Sequence, residues 1–293
     1  MLKMIDLKNG ETLGYRKSGD GDKTIVLVHG NMSSSKHWDT VMASLPEDYT
    51  AYAVDLRGFG ASTYNSRISS LKELSEDLKL FVDQMGLKKF VLMGWSTGGG
   101  IVMHFAVDYP SLVKKLILVE SVGIKGYPML KKDDKGQPIP GEFLTTKEEI
   151  EVDPIQVKPI LDAYEAKNKD FIRLVWDSAI YTFKKPEEDR YDSYLDEIIK
   201  QRNLVDIDYA LIHFNISDEH NGVVQGSGEI SKLKTPTLVI QGEDDLVVPK
   251  TMGIEISEVM GKTARLELLP NGGHAPLEDD LDRFMNLVID FLE

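Results

Sequence analysis

Cysteine is absent from this chain of 293 residues. That excludes disulfides, thiolate metal centres and a cysteine nucleophile, and it fits a reducing compartment. A basic excess is absent too: 34 Lys and Arg stand against 48 Asp and Glu, a formal net charge of −14. Binding to nucleic acid or to an anionic membrane needs a basic footprint, so neither is expected as a partner. The acidity reads as a solubility feature. No apolar run approaches the ~18 residues of a membrane span, and no apolar leader opens the sequence, so the expected location is cytoplasmic. Repeats and low-complexity segments are lacking as well. What remains is 42% hydrophobic and 28% charged, the composition of an ordinary globule with ample core. At this length one large α/β domain, or a domain carrying an insertion, is expected.

One stretch organises the rest. The apolar run Phe90-Val91-Leu92-Met93 leads into Gly94-Trp95-Ser96-Thr97-Gly98, and Gly99-Gly100-Ile101-Val102-Met103 follows. This pattern predicts a buried strand, a very tight turn and a helix packed back on the strand. A serine at the apex of such a turn has strained dihedrals, and Gly94 and Gly98 must lack side chains for strand and helix to approach. Ser96 Oγ then projects over the sheet edge, with a helix N-terminus beneath it to favour developing negative charge. Gly98-Gly99-Gly100 resembles a phosphate loop only superficially, since no Gly-x-Gly-x-x-Gly is present here and no P-loop Lys follows.

Asn9-Gly10 between two short segments predicts an opening antiparallel hairpin over 3–8 and 11–17. Apolar strands follow at 24–28, 52–54, 90–93 and 116–119, separated by helical stretches near 38–45 and 70–85 and by the helix after Ser96. Strands apolar throughout, alternating with helices, predict a mainly parallel sheet covered on both faces. From Val122 to Leu233 no comparable strand occurs. That segment reads as helices and loops, with helices near 155–168, 171–182 and 186–202. The sheet resumes at 237–240 and 265–269, and a helix over 277–292 closes the chain. The expected organisation is a core of 1–121 and 234–293 with an insertion over 122–233.

A serine hydroxyl becomes a useful nucleophile only when a base takes its proton and a third group orients that base. Two loops after the resumed strands supply both: Gly242-Glu243-Asp244-Asp245 and Gly273-His274. In a parallel sheet these loops open on the same edge as Ser96. An acid near Asp245 and the imidazole of His274 therefore meet the serine there. His29, His37, His104, His213 and His220 lie at other places in the strand order and compete poorly.

These residues resemble the α/β-hydrolase superfamily over nearly the whole chain. His29-Gly30, Asp55-x-Arg57-Gly58-x-Gly60-x-Ser62, Gly94-x-Ser96-x-Gly98, Gly242-x-x-Asp245-x-x-x-Pro249 and Gly273-His274-x-Pro276 match its pattern in order. The resemblance implies the α/β-hydrolase fold: a mainly parallel eight-stranded sheet covered by helices, with the insertion as a helical cap. It implies Ser96, Asp245 and His274 as catalytic residues, with Glu243 and Asp244 as solvated neighbours, and it makes Glu120 another place where some relatives put the acid. It implies an oxyanion hole from the backbone amides of Thr97 and Asn31, and takes Asp55 and Arg57 as parts of a structural turn. Asn31 is similar to a halide-holding Asn of haloalkane dehalogenases, but those use an aspartate nucleophile where Ser96 stands. Glu278 and Asp279 depart from the family pattern and are expected to affect only the final helix.

The expected function is hydrolysis of carboxylic esters of small to medium apolar substrates through an acyl-enzyme, with no metal and no organic cofactor. Met32 and Trp95 are the side chains best placed to touch substrate. The same residues suit lactones, hydroxyalkanoate esters, carbon–carbon bond hydrolysis or cofactor-free perhydrolysis. A different class is a ligand receptor or regulatory protein that keeps these residues with little turnover.

Overall fold

A computed structural model describes all 293 residues. The chain opens with β1 (Leu2–Asp6) and β2 (Thr12–Ser18), paired antiparallel across the Asn9-Gly10 turn, where Gly10 takes the positive φ such a turn needs. Then come β3 (Lys23–Val28), a short 3₁₀ turn running into α1 (Asp39–Ser44), β4 (Tyr49–Val54), α2 (Leu71–Gln84), β5 (Phe90–Trp95), α3 (Thr97–Asp108) and β6 (Val113–Val119). The insertion follows, and the core is completed after it. Eight strands form one sheet, parallel apart from the antiparallel edge made by β1 and β2. The expected α/β-hydrolase architecture is present.

The sheet is buried on both faces because its central strands carry unbroken apolar runs, at 25–28, 90–93 and 116–119. Ile25 and Leu27 point to one side while Val26 and Val28 point to the other, the period of two inherent in a strand. On one face α2 and α3 supply Leu74, Leu78, Phe81, Ile101 and Phe105; on the other Trp38, Val41, Phe284 and Val288 pack with the insertion. Each such side chain, fully buried, contributes about 1.5–3 kcal/mol relative to exposure. The spacing of Leu71, Leu74, Leu78, Phe81 and Val82 puts them on one face of α2, and the Ser70 hydroxyl caps its start.

Beyond β6 the chain leaves the sheet. The expectation of helices alone is corrected here, because the segment begins with an antiparallel hairpin, β7 (Leu130–Lys132) and β8 (Pro138–Phe143). Both strands are half-buried or exposed, so no apolar run announces them. Five helices follow: α4 (Lys147–Glu151), α5 (Lys158–Glu165), α6 (Lys169–Ala179), α7 (Glu188–Ile198) and α8 (Leu204–His213). The chain then returns as β9 (Thr237–Gly242), α9 (Lys250–Met260) and β10 (Ala264–Leu269). The single closing helix expected over 277–292 is two, α10 (Pro276–Asp279) and α11 (Leu281–Leu292), broken at Asp280, whose carboxylate caps the second. The strand order β1-β2-β4-β3-β5-β6-β9-β10 brings the loops after β5, β9 and β10 to one edge, over which the insertion lies.

Candidate active site

Ser96 follows the last residue of β5 and precedes the first of α3, with φ 56° and ψ −120°. A non-glycine residue rarely takes that conformation, and the surrounding packing enforces it. A Cβ on Gly94 would lie 2.5 Å from the Gly98 carbonyl oxygen, and one on Gly98 would lie 2.4 Å from that of Val28. Strand and helix touch backbone to backbone at this point, and any larger residue would force them apart.

The imidazole of His274 and the carboxylate of Asp245 meet as the strand order requires. His274 Nδ1 donates to Asp245 Oδ2 at 2.8 Å, and both side chains are almost completely buried. The second oxygen of Asp245 accepts from the amides of Val247 and Val248, at 2.7 and 2.9 Å. Burial pulls the Asp245 pKa upward. The neighbouring His274, a hydrogen bond from Glu120 and the Val248 amide outweigh it and hold the carboxylate below its ordinary value. Asp244 is exposed and has no part in this pairing. Ser96 Oγ makes no hydrogen bond to His274 in this structure, although both line one cavity. Such a bond commonly tightens only with substrate in place.

Glu120, at the end of β6, has φ 42° and is wholly buried. Its oxygens accept from the Gly242 amide at 2.7 and 2.9 Å and from Gln241 Nε2 at 2.5 Å. Burial, then the charge of Asp245, pushes Glu120 well above the usual carboxylate range.

Two backbone amides, of Thr97 at the start of α3 and of Asn31 in the loop after β3, flank Ser96 and are taken by no protein acceptor. The loop carrying Asn31 is fixed from below by His29. Its Nε2 accepts from the Leu56 amide at 3.0 Å, so its Nδ1 carries the hydrogen and donates to the Gly30 carbonyl at 2.8 Å. Burial lowers its pKa to about 4, keeping the ring neutral in that tautomer. From above, Asn31 is held by the insertion: its Oδ1 accepts from Gln201 Nε2 at 2.7 Å, and its Nδ2 donates to Asp208 at 3.1 Å.

Asp55 and Arg57 do not pair with each other. Asp55 accepts from the amides of Ser35 and Ala61, while Arg57 forks onto Asp77 at 2.6 Å. Both are structural, as expected for a turn.

Ser96 opens onto two cavity lobes. One, of about 200 Å³, is lined by Met32, Trp95, Val175, Trp176, Ala179, Ile180, Val247 and His274. Met32 and Trp95, the two side chains expected nearest the substrate, are thus both in its wall. Trp95 also steadies His274, because its Nε1 donates to the His274 carbonyl at 2.8 Å. The other lobe, of about 270 Å³, extends past Thr97 to Tyr127, Met129, Ile160, Leu204, Asp208 and Leu211. Neither lobe has a Lys or Arg in its wall.

The expectation that Glu278 and Asp279 affect only the final helix is corrected. Glu278 is buried and accepts from Arg190 of α7 at 2.5 Å, tying α10, which follows His274, to the insertion. Asp279 accepts from the Gly273 amide at 2.8 Å, one residue before the imidazole. No sequence pattern signalled either contact, because each joins residues far apart or in unrecognised register.

Residues 23–146 match the family model described as alpha/beta hydrolase fold. Along 99% of its length the chain is similar to a 2-hydroxy-6-oxononadienedioate/2-hydroxy-6-oxononatrienedioate hydrolase of Pseudomonas sp., 25% identical and covered over 96%. Among solved structures, it resembles an esterase from Exiguobacterium antarcticum (TM-score 0.75, 20% identity, 99% of each chain). It also resembles the enol-lactonase from Burkholderia xenovorans LB400 (TM-score 0.75, 17% identity, 99% of each chain). The chain has the α/β-hydrolase fold.

Proposed function

We propose that this protein is a serine hydrolase that cleaves carboxylic esters of small to medium, mainly apolar substrates without anionic groups. The observation that carries the reading is the convergence of Ser96, the His274–Asp245 pair and two free amides on a cavity whose walls are mainly apolar and hold no cation. In this mechanism Ser96 Oγ attacks the ester carbonyl while His274 Nε2 takes its proton. The negative oxygen that forms is stabilised by the Thr97 and Asn31 amides. His274 returns the proton to the leaving alcohol, and a water activated by the same imidazole releases the acyl group. Asp245 holds the Nδ1–H tautomer that leaves Nε2 free as base. The insertion acts as a cap that excludes water from the reacting carbonyl, and no metal or organic cofactor takes part.

The curated relatives favour a second reading, since the substrate in their names is an oxo acid without an ester bond, and its hydrolysis would cut a carbon–carbon bond. That substrate is also a dicarboxylate. A cavity with no Lys or Arg in its wall and an aspartate in one lobe is a poor host for two carboxylates, which supports the ester reading for neutral molecules.

The test is intact-mass spectrometry after incubation with a fluorophosphonate, followed by a panel of neutral esters, lactones and dicarboxylate oxo acids. Single labelling that disappears in Ser96→Ala, with turnover confined to the neutral esters, is the expected result. No labelling of the wild type would reject the hydrolase reading and leave the ligand receptor. Turnover of the oxo diacid in preference to every ester would reject the substrate assignment.

A further inference from the structure

Two aspartates of α8 lie two residues apart and meet opposite fates. Asp206 faces Arg67 and Lys147, at 2.8 and 2.6 Å, and also accepts from the Tyr64 hydroxyl. Asp208 faces inward, into the second lobe beside Ser96. It is 8% exposed, and its only protein partner is Asn31 Nδ2, which donates to Oδ1 at 3.1 Å. Oδ2 accepts from no protein donor, and it is not among the buried polar atoms sealed away without a partner; it opens on the cavity. The ionisable groups around it are Asp153, Tyr164 and Tyr127, none of them a cation. A carboxylate desolvated in this way is costly unless it is paired. The protein supplies the second half of a pair for Asp206 and withholds it for Asp208.

We infer that the second lobe is a subsite for a hydrogen-bond-donating group of the substrate, a hydroxyl or a protonated amine, received by Asp208 Oδ2. The inference rests on the hydrolase reading and narrows it: the preferred ester is apolar around its carbonyl and carries a donor at one end. The first lobe, walled by Trp176, Val175, Ala179 and Ile180, takes the apolar end. Asp208 is then a specificity residue. Burial raises its pKa to about 7 from 3.8, as expected for a carboxyl whose counter-charge is absent from the protein. A hydroxyl satisfies either form of this group, and an ammonium satisfies the ionised one.

The experiment compares matched esters ending in methyl, hydroxyl or dimethylammonium, with the variable end placed once on the acyl chain and once on the alcohol. The readout is the ratio of kcat/KM for each donor ester to its methyl analogue in wild type, Asp208→Asn and Asp208→Leu, with fluorophosphonate labelling of Ser96 measured on each variant. A hydrogen bond to a charged group is expected to favour the donor ester by about tenfold to a hundredfold in one of the two series. Asp208→Leu removes the preference for both donors, and Asp208→Asn removes that for the ammonium while sparing the hydroxyl. A wild type that prefers the methyl ester in both series, or ratios unchanged in Asp208→Leu with labelling intact, overturns the subsite and leaves the hydrolase reading standing. Should the wild type fail to label, the hydrolase reading falls, and the subsite is judged by the shift in Tm with 4-(dimethylamino)butan-1-ol. A shift lost in Asp208→Leu retains it, and no shift in the wild type rejects it.

Discussion

Asp208→Asn should make the protein more stable, and increasingly so as the pH rises. The carboxyl titrates near 3.8 when exposed in the unfolded chain and at about 7 in the fold, raised by burial with a smaller contribution from the charge of Asp153. Because folding raises this pKa, the folded state binds the proton more tightly. The stability associated with it is fully present below about pH 4 and is lost as pH climbs to about 7, after which the loss is complete. At about 1.36 kcal/mol per unit, the loss between pH 5 and pH 7 is about 3 kcal/mol, a large share of an ordinary folding free energy. Asparagine is nearly isosteric and keeps an oxygen to accept from Asn31 Nδ2, but it has no charge to bury. Urea unfolding of wild type and Asp208→Asn at about pH 5 and about pH 8 gives the mutant-minus-wild-type difference at each. Glu278, raised to about 7 by burial, titrates over the same range but is present in both proteins and cancels. The difference should grow by about 3 kcal/mol in favour of the mutant. A difference that is the same at both pH values would show that Asp208 does not titrate in this window, and the reasoning from its missing counter-charge would fail. A gain of this kind at the cost of discrimination between esters is the trade expected of a residue kept for binding.

Further outcomes follow from the same geometry. Asp245→Ala should lower kcat about a thousandfold or more, whereas Asp244→Ala, in an exposed side chain, should change it less than about twofold; the reverse order in steady-state kinetics would move the acid by one residue. Ser96→Gly should abolish turnover yet raise stability by about 1 kcal/mol over Ser96→Ala, since glycine adopts φ 56° without strain while alanine does not. Equal unfolding midpoints for these two variants would mean that the turn stores no strain.

The sheet was legible because its central strands carry unbroken apolar runs, which two-sided burial explains, and because Gly94, Ser96 and Gly98 admit one local geometry. Asp245 and His274 were legible by their place after β9 and β10. The insertion was not. Its hairpin is built from Leu130-Lys131-Lys132 and Pro138-Ile139-Pro140, polar or interrupted segments with no alternation, although Asp133, Asp134 and Gly136 mark the turn between them. Helix α8 is buried nearly all round, so its apolar residues show no 3.6-residue stripe. Asp208 and Glu278 were illegible for a different reason. A carboxylate on a helix reads as solvated until tertiary structure removes the water, and the contacts Asn31–Asp208 and Arg190–Glu278 join residues that no local pattern connects.

The two halves of the candidate site therefore answer to different physics. The sheet edge supplies what must not move: a strained serine, two backbone amides, and an imidazole held by Asp245 and by Trp95 through its carbonyl. The insertion supplies the walls proposed to select: Trp176 and Ile180 in one lobe, Ile160 and Asp208 in the other. Asn31 joins them, because its backbone amide is taken by no protein acceptor beside Ser96 while its side chain is clamped by Gln201 and Asp208. A substrate donor that draws Asp208 toward itself loads the same side chain that fixes the oxyanion amide. Binding in the second lobe and stabilisation of the transition state are then one mechanical unit. A good substrate should accordingly differ from a poor one in kcat as well as in KM.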